Sequence, residues 1–244
     1  MKKVILFLLL AVVSFAANAG IVDHDKMYNA YLQGDLKTWH DELLKYVKNN
    51  NTSFTDRREI ANYLYGYIGF ISEDKSKKST CEYFMKFFER YYEEMIKSPN
   101  HKALGLAYKA AAYGMKSKYE GNTLINGPKT ISYLNDAEKA DSKNPIVIGF
   151  RGTTKLYAPA ILGGDKKKAL SYFLKAVKIL GDNTPTVFRW NYRALQLCIV
   201  ETYLALGQET KADEWYKKIM AEEPKFKRLE IGYELGNFGI TDVK

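Results

Sequence analysis

The sequence predicts an all-α protein, an α-α superhelix of about ten helices stacked as hairpins, each burying its apolar face against the next. Three observations carry that reading. Apolar residues recur at three- and four-residue spacing along most of the chain, as in Leu36, Trp39, Leu43 and Val47. Short polar breaks rich in Gly, Asn, Asp and Pro separate these stretches. No segment beyond the first nineteen residues alternates apolar with polar residues as a half-buried strand does. With 46% hydrophobic and 14% aromatic residues, 244 residues suffice for a sizeable core of bulky side chains.

Taken in order, residues 1–19 read as a signal peptide. Lys2 and Lys3 precede an apolar run from Val4 to Phe15, and Ala17-Asn18-Ala19 has the small-x-small form of a cleavage site. The apolar run is too short for a bilayer, which needs roughly 20 residues. Cleavage after Ala19 is expected to release residues 20–244 as a single helical repeat domain to the periplasm or beyond. No later segment is apolar enough to span a membrane. Helices are predicted at about 24–33 and 36–48, divided by Gly34-Asp35. A capping box at Asp56 to Glu59 opens a helix to about Ile71, and Ser79 to Glu82 opens another carrying Phe84, Phe88, Tyr91 and Met95. Residues 101–118 follow, with Ala103, Ala107, Ala110, Ala111 and Gly114 giving a face for close helix approach. Pro128, Pro145 and Pro185 mark helix starts, since a first-turn proline forfeits no helical hydrogen bond. Asp165 is an N-cap candidate. Lys227 to Leu235 reads as a capping helix over the last apolar face, whose continuation Gly232, Gly236 and Gly239 discourage.

The hairpins carry a repeating pattern. Tyr203, Gly207 at a turn, Ala212, Tyr216, Ile219 and Pro224 make the clearest unit. The small Ala212 lets paired helices touch, Tyr216 fills the space behind, and Pro224 stops the helix. Ala169, Phe173 and Ala176, followed by Pro185, repeat it. Thr130, Leu134 and Ala137 echo it before Pro145, and Gly34 with Trp39 and Leu43 fits a first unit in which Trp39 replaces the small residue. This pattern resembles the tetratricopeptide repeat, whose units run about 34 residues. The resemblance implies first helices lining a concave groove that holds a partner. Pro159, Gly163, Gly164 and Asp165 form a Pro-x-x-x-Gly-Gly-Asp turn. It is similar to one in exported bacterial tetratricopeptide-like proteins that include the periplasmic partner of TRAP-type transporters. As structure, Pro159 ends one helix, the glycines reverse the chain and Asp165 caps the next.

Formal charge is +9, or +7 without Lys2 and Lys3, with lysines interleaved among acids on solvated faces. Nucleic-acid motifs are absent. His24, His40 and His101 are scattered without metal spacing, and no nucleophile motif occurs, so neither catalysis, metal nor cofactor is expected. Cys81 and Cys198 read as buried thiols, with a bridge left open. Arg151 lies in an apolar first helix, either ion-paired with Asp136 or Glu201 or anchoring a carboxylate in the groove. Arg189, Trp190 and Arg193 invite the same two readings. Tyr63, Tyr67, Tyr108 and Tyr113 are either core or groove lining. The function expected is a scaffold holding a protein or peptide of the cell envelope, the alternative a transporter-associated component binding a small carboxylate-bearing solute.

Overall fold

The computed structural model describes residues 20–181 and 184–235. Residues 1–19, expected to form a signal peptide, and the glycines Gly236 and Gly239 lie outside this range. Eleven α-helices and no strand occur among the described residues. They are α1 (His24–Gln33), α2 (Leu36–Val47), α3 (Phe54–Ile71), α4 (Lys78–Lys97), α5 (Lys102–Glu120) and α6 (Thr123–Ala140). After them come α7 (Pro145–Tyr157), α8 (Lys166–Leu180), α9 (Arg189–Ala205), α10 (Glu209–Glu222) and α11 (Lys227–Leu235). Gly232, expected to discourage that last helix, lies inside it.

Side chains of Asp23, Asp35, Ser53, Asn144 and Asp165 accept hydrogen bonds from first-turn amides of their helices, satisfying donors that have no partner within the helix. Gly34 and Gly207 turn the chain in the left-handed region, both at φ 69°. Three predicted starts are displaced. The capping box is Ser53 with Asp56, one turn before Asp56–Glu59: Asp56 N donates to Ser53 Oγ at 3.1 Å and Ser53 N to Asp56 Oδ2 at 2.8 Å. Helix α4 grows out of a 3-10 turn at Lys75–Lys77 and has no side-chain cap, so Ser79–Glu82 is not a box. Pro128 lies inside α6, which begins at Thr123. The carbonyl it leaves unpaired belongs to Leu124, a residue 92% exposed, where water serves instead.

Consecutive helices pair as hairpins, α1 with α2 through α9 with α10, and first helices α3, α5, α7 and α9 stack side by side. Ala169, Phe173, Ala176 and Ala212 are fully buried, as the repeat spacing requires. Phe173 fits because Gly152 faces it: a methyl at Gly152 would lie 2.5 Å from the ring. Trp39 is accommodated likewise by Gly66 on α3, where a methyl would meet Trp39 at 2.6 Å and Trp190 at 2.7 Å. Tyr216 is half-buried instead of filling a gap behind Ala212, and it stacks on Tyr233 of α11 at 4.2 Å.

The stack also winds back on itself. Helix α1 contacts α9 and α11. Arg189 Nη1 donates to Asp25 Oδ1 at 2.7 Å, Tyr28 OH to Glu223 Oε2 at 2.9 Å and Gln33 Nε2 to the Lys225 carbonyl at 2.9 Å. Asn62 on α3 donates to Asn191 on α9 at 2.8 Å and accepts from Tyr108 on α5 at 2.9 Å. Trp39 and Trp190 meet edge-on at 5.5 Å. The concave side is therefore no continuous groove. A shared aromatic core of Tyr31, Trp39, Phe70 and Trp190 fills much of it, and a cleft remains between α3, α7 and α9.

Candidate ligand chamber

Most residues predicted to line a groove are placed elsewhere. Arg151 is paired with Glu138 of α6, at 3.0 Å through Nε and 2.7 Å through Nη2, and also bonds Asn135. It pairs with neither Asp136 nor Glu201. Arg189 lies over the Tyr28 ring at 4.0 Å while bound to Asp25. Arg193 bonds Tyr28, Gln196 and Glu222 at 2.8–3.2 Å. Both therefore rivet the last hairpin to α1. Tyr63 and Tyr108 are buried, with hydroxyls bonded to His24 and Asn62, and Tyr67 is buried against His40 and Phe84. Tyr113 stacks on Tyr133 of α6 at 5.5 Å. Trp190 does reach the concave side.

There, α3, α7 and α9 border a small cleft of about 60 Å³, partly open to solvent, with Tyr65, Phe150, Thr153, Trp190, Ala194 and Cys198 in its walls. On α9, Asn191, Ala194, Cys198 and Glu201 follow at spacings of three and four and share one face. Cys198 thus leads from the cleft toward Glu201, whose Oε2 accepts a 2.8 Å hydrogen bond from Tyr157 at the end of α7. Tyr157 keeps 59% of its surface accessible, yet desolvation raises its hydroxyl pKa above the ordinary value.

Arg228, on α11, completes the cluster. Its guanidinium sits 3.8 Å over the Phe70 ring and 5.7 Å from that of Tyr31. Among the described residues no carboxylate lies within ion-pairing distance of it. Desolvation draws its pKa below the ordinary guanidinium value, and the fields of Tyr31, Cys198, Tyr157 and Glu201 only oppose that shift. Glu201 is pushed above its ordinary 4.5 by burial, against the Tyr157 hydrogen bond and the Arg228 charge. Burial also raises Cys198 and Tyr65, disfavouring thiolate and phenolate. The arrangement is a cation with no ion-pair partner among the described residues, aromatic faces beside it and a carboxylic acid biased toward its neutral form. Such a set accepts an anion carried on a flat apolar body.

Both cysteines are free, Cys81 buried and Cys198 half-buried in this wall. Among the described residues, no group of three or more His, Cys, Asp and Glu is placed to hold a metal ion, and no helix is long and apolar enough to cross a membrane. The sequence reading missed Arg228, Glu201, Tyr157, Tyr65 and Cys198 as site residues. A signal existed for Glu201: it follows the apolar run Leu197 to Val200 on a first helix, the same reasoning that singled out Arg151.

No protein-family model matches the sequence, and neither does any curated protein. Among solved structures, the chain is similar to the HusA haemophore from Porphyromonas gingivalis, with a TM-score of 0.51 and 14% sequence identity over 75% of this chain and 94% of that one. At that identity the likeness shows the fold: an all-helical architecture shared with that haemophore.

Proposed function

We propose that this is an exported carrier of a small, flat, carboxylate-bearing ligand. The ligand sits at the cleft mouth, with Arg228 on a carboxylate and Phe70 and Tyr65 against its apolar body. One observation carries the reading: a guanidinium over the Phe70 ring with no carboxylate within ion-pairing distance among the described residues, the acid whose field reaches it, Glu201, being itself biased toward its neutral form. A charge so placed is costly unless something pairs with it. The similar fold belongs to a haemophore, so tetrapyrroles with carboxylate arms are the first ligands to test. Docking of α1 across α9 and α11 favours a small ligand over an extended peptide, which needs an uninterrupted groove. The reading involves no catalytic step and no nucleic acid. Export rests on residues 1–19, and the turn at 157–165 accords with a transporter-associated solute carrier of tetratricopeptide-like kind.

The test is titration of residues 20–244 with haem and with metal-free protoporphyrin, followed by ligand absorbance, alongside thermal-shift screening of small carboxylates. Because burial disfavours the metal-binding anions of Cys198 and Tyr157, the expected grip is on carboxylate and ring, and the metal-free form binds too. Arg228→Met is expected to weaken binding by about tenfold or more, the worth of a charged hydrogen bond. Absence of saturable binding to either tetrapyrrole and to every carboxylate overturns the reading.

A further inference from the structure

The turn leaving α7 carries a second surface. Ile161 is 93% exposed, and the backbone that presents it is tied down at several points. Gly163 N donates to the Ala160 carbonyl at 2.9 Å, Gly164 N to that of Pro159 at 3.0 Å and Asp165 N to that of Lys155 at 2.8 Å. Lys155 Nζ binds the Gly163 carbonyl at 2.7 Å. A methyl at Gly164 would lie 1.8 Å from the Ala158 carbonyl oxygen, so the close approach is possible only for glycine. The turn therefore holds an isoleucine out in water by construction.

Its surroundings are basic. Lys155 precedes it, Lys166, Lys167 and Lys168 follow, and α8 continues with exposed Lys175, Lys178 and Ile179. Residues 155–178 hold six lysines against the single acid Asp165, a charge of +5 out of the +7 carried by residues 20–244. Asp165 meets Lys168 at 3.6 Å, and Lys166 touches the Ala205 carbonyl, both at exposed positions. Lysines in a helix's first turn oppose its dipole, so the local fold gains nothing from them.

An aliphatic tip in a cationic surround matches a bilayer with anionic headgroups. We propose that this turn docks the protein on such a bilayer, Ile161 entering the headgroup region while Lys155 and Lys166 to Lys168 meet the lipid charge. A specific protein partner needs a packed patch of roughly 800 Å² on each side, which one protruding isoleucine does not supply. Lipid needs only the tip. The turn follows Tyr157, whose hydroxyl bonds Glu201, so docking sets that end of α7 against the membrane. The inference goes beyond the ligand reading and stands without it.

Sedimentation with phosphatidylcholine vesicles, with and without phosphatidylglycerol, tests it on residues 20–244. The protein is expected to pellet with the mixed vesicles alone, and less so as salt screens the attraction. Ile161→Asp is expected to lower partition about tenfold through the lost apolar contact. Lys167→Glu with Lys168→Glu is expected to lower it at least about tenfold. Lys48→Glu with Lys143→Glu, an equal charge change elsewhere on the surface, leaves it near wild type. Circular dichroism melts verify that each variant is folded, and the tetrapyrrole titration repeated on Ile161→Asp reports the chamber separately. A wild-type protein that stays in solution with mixed vesicles overturns the proposal. So do tip variants that pellet like wild type, or charge variants that lose binding wherever they are placed.

Discussion

A guanidinium stripped of water with no acid within ion-pairing distance destabilises the protein that contains it, by several kcal/mol in a dry site and by less where water still reaches, as at Arg228. Arg228→Met, which keeps an unbranched apolar stem against Phe70, is expected to leave ligand-free stability unchanged or higher by about 1 kcal/mol in urea unfolding. A clear loss would assign Arg228 to packing instead of binding. Glu201 offers a second test. Its folded-state pKa lies above the ordinary 4.5, so the folded chain holds that proton more tightly than the unfolded chain. This contribution to stability is complete below about 4.5 and is lost as pH rises through the folded-state value. Ligand affinity follows the same window, because a neutral Glu201 donates to a bound carboxylate and an ionised one repels it. Tyr157, which faces it, keeps its proton across this range. Dissociation constants measured across the window are expected to rise with pH, and Glu201→Gln is expected to remove the dependence.

Single helices were the scale at which the sequence spoke most clearly. Amphipathic periodicity and Gly or Pro breaks located α1, α2, α3, α7 and α11 because each needs only local information. The displaced starts have local reasons as well. Ser53-x-x-Asp56 and Asp56-x-x-Glu59 are overlapping capping patterns one turn apart, and the amides at Ser53 took the earlier. Pro128 reads as a helix start, yet an exposed α6 tolerates it because the orphaned carbonyl faces water. Pair packing was legible only in part. The small residues Ala169 and Ala212 were expected, whereas the oversized Trp39 is matched by a glycine on a different helix, which no spacing rule ties to it. Gly66→Ala is accordingly expected to cost about 1–3 kcal/mol by overpacking against both tryptophans. Chemical denaturation followed by tryptophan fluorescence measures it. Stability equal to wild type would mean that the Trp39–Trp190 contact is loose.

Closure of the stack was not legible, and the misplaced site residues follow from that. In an open superhelix the inner faces of first helices look into a groove, so Tyr63, Tyr67 and Tyr108 qualify as lining. Once α1 folds back onto α9 and α11, much of that inner surface becomes interior, and arginines at α9's start become fasteners. Nothing in a local period specifies which distant hairpins meet. Arg193, engaged with Tyr28, Gln196 and Glu222, is such a fastener, and Arg193→Ala is expected to cost about 2 kcal/mol in urea unfolding through the polar groups it abandons. The Tyr28–Glu223 hydrogen bond joins residues 195 positions apart. A ribosome adding 5–20 residues per second takes about 10 to 40 s to cover that stretch. For most of that interval Tyr28 and Tyr31 lack their partners on α9 and beyond, Glu223, Trp190 and Phe226, which makes the amino-terminal hairpin cargo for holding chaperones. Helix α11, delivered late, acts as the latch, and a chain cut short at Pro224 would be sticky however well its first two hundred residues are made.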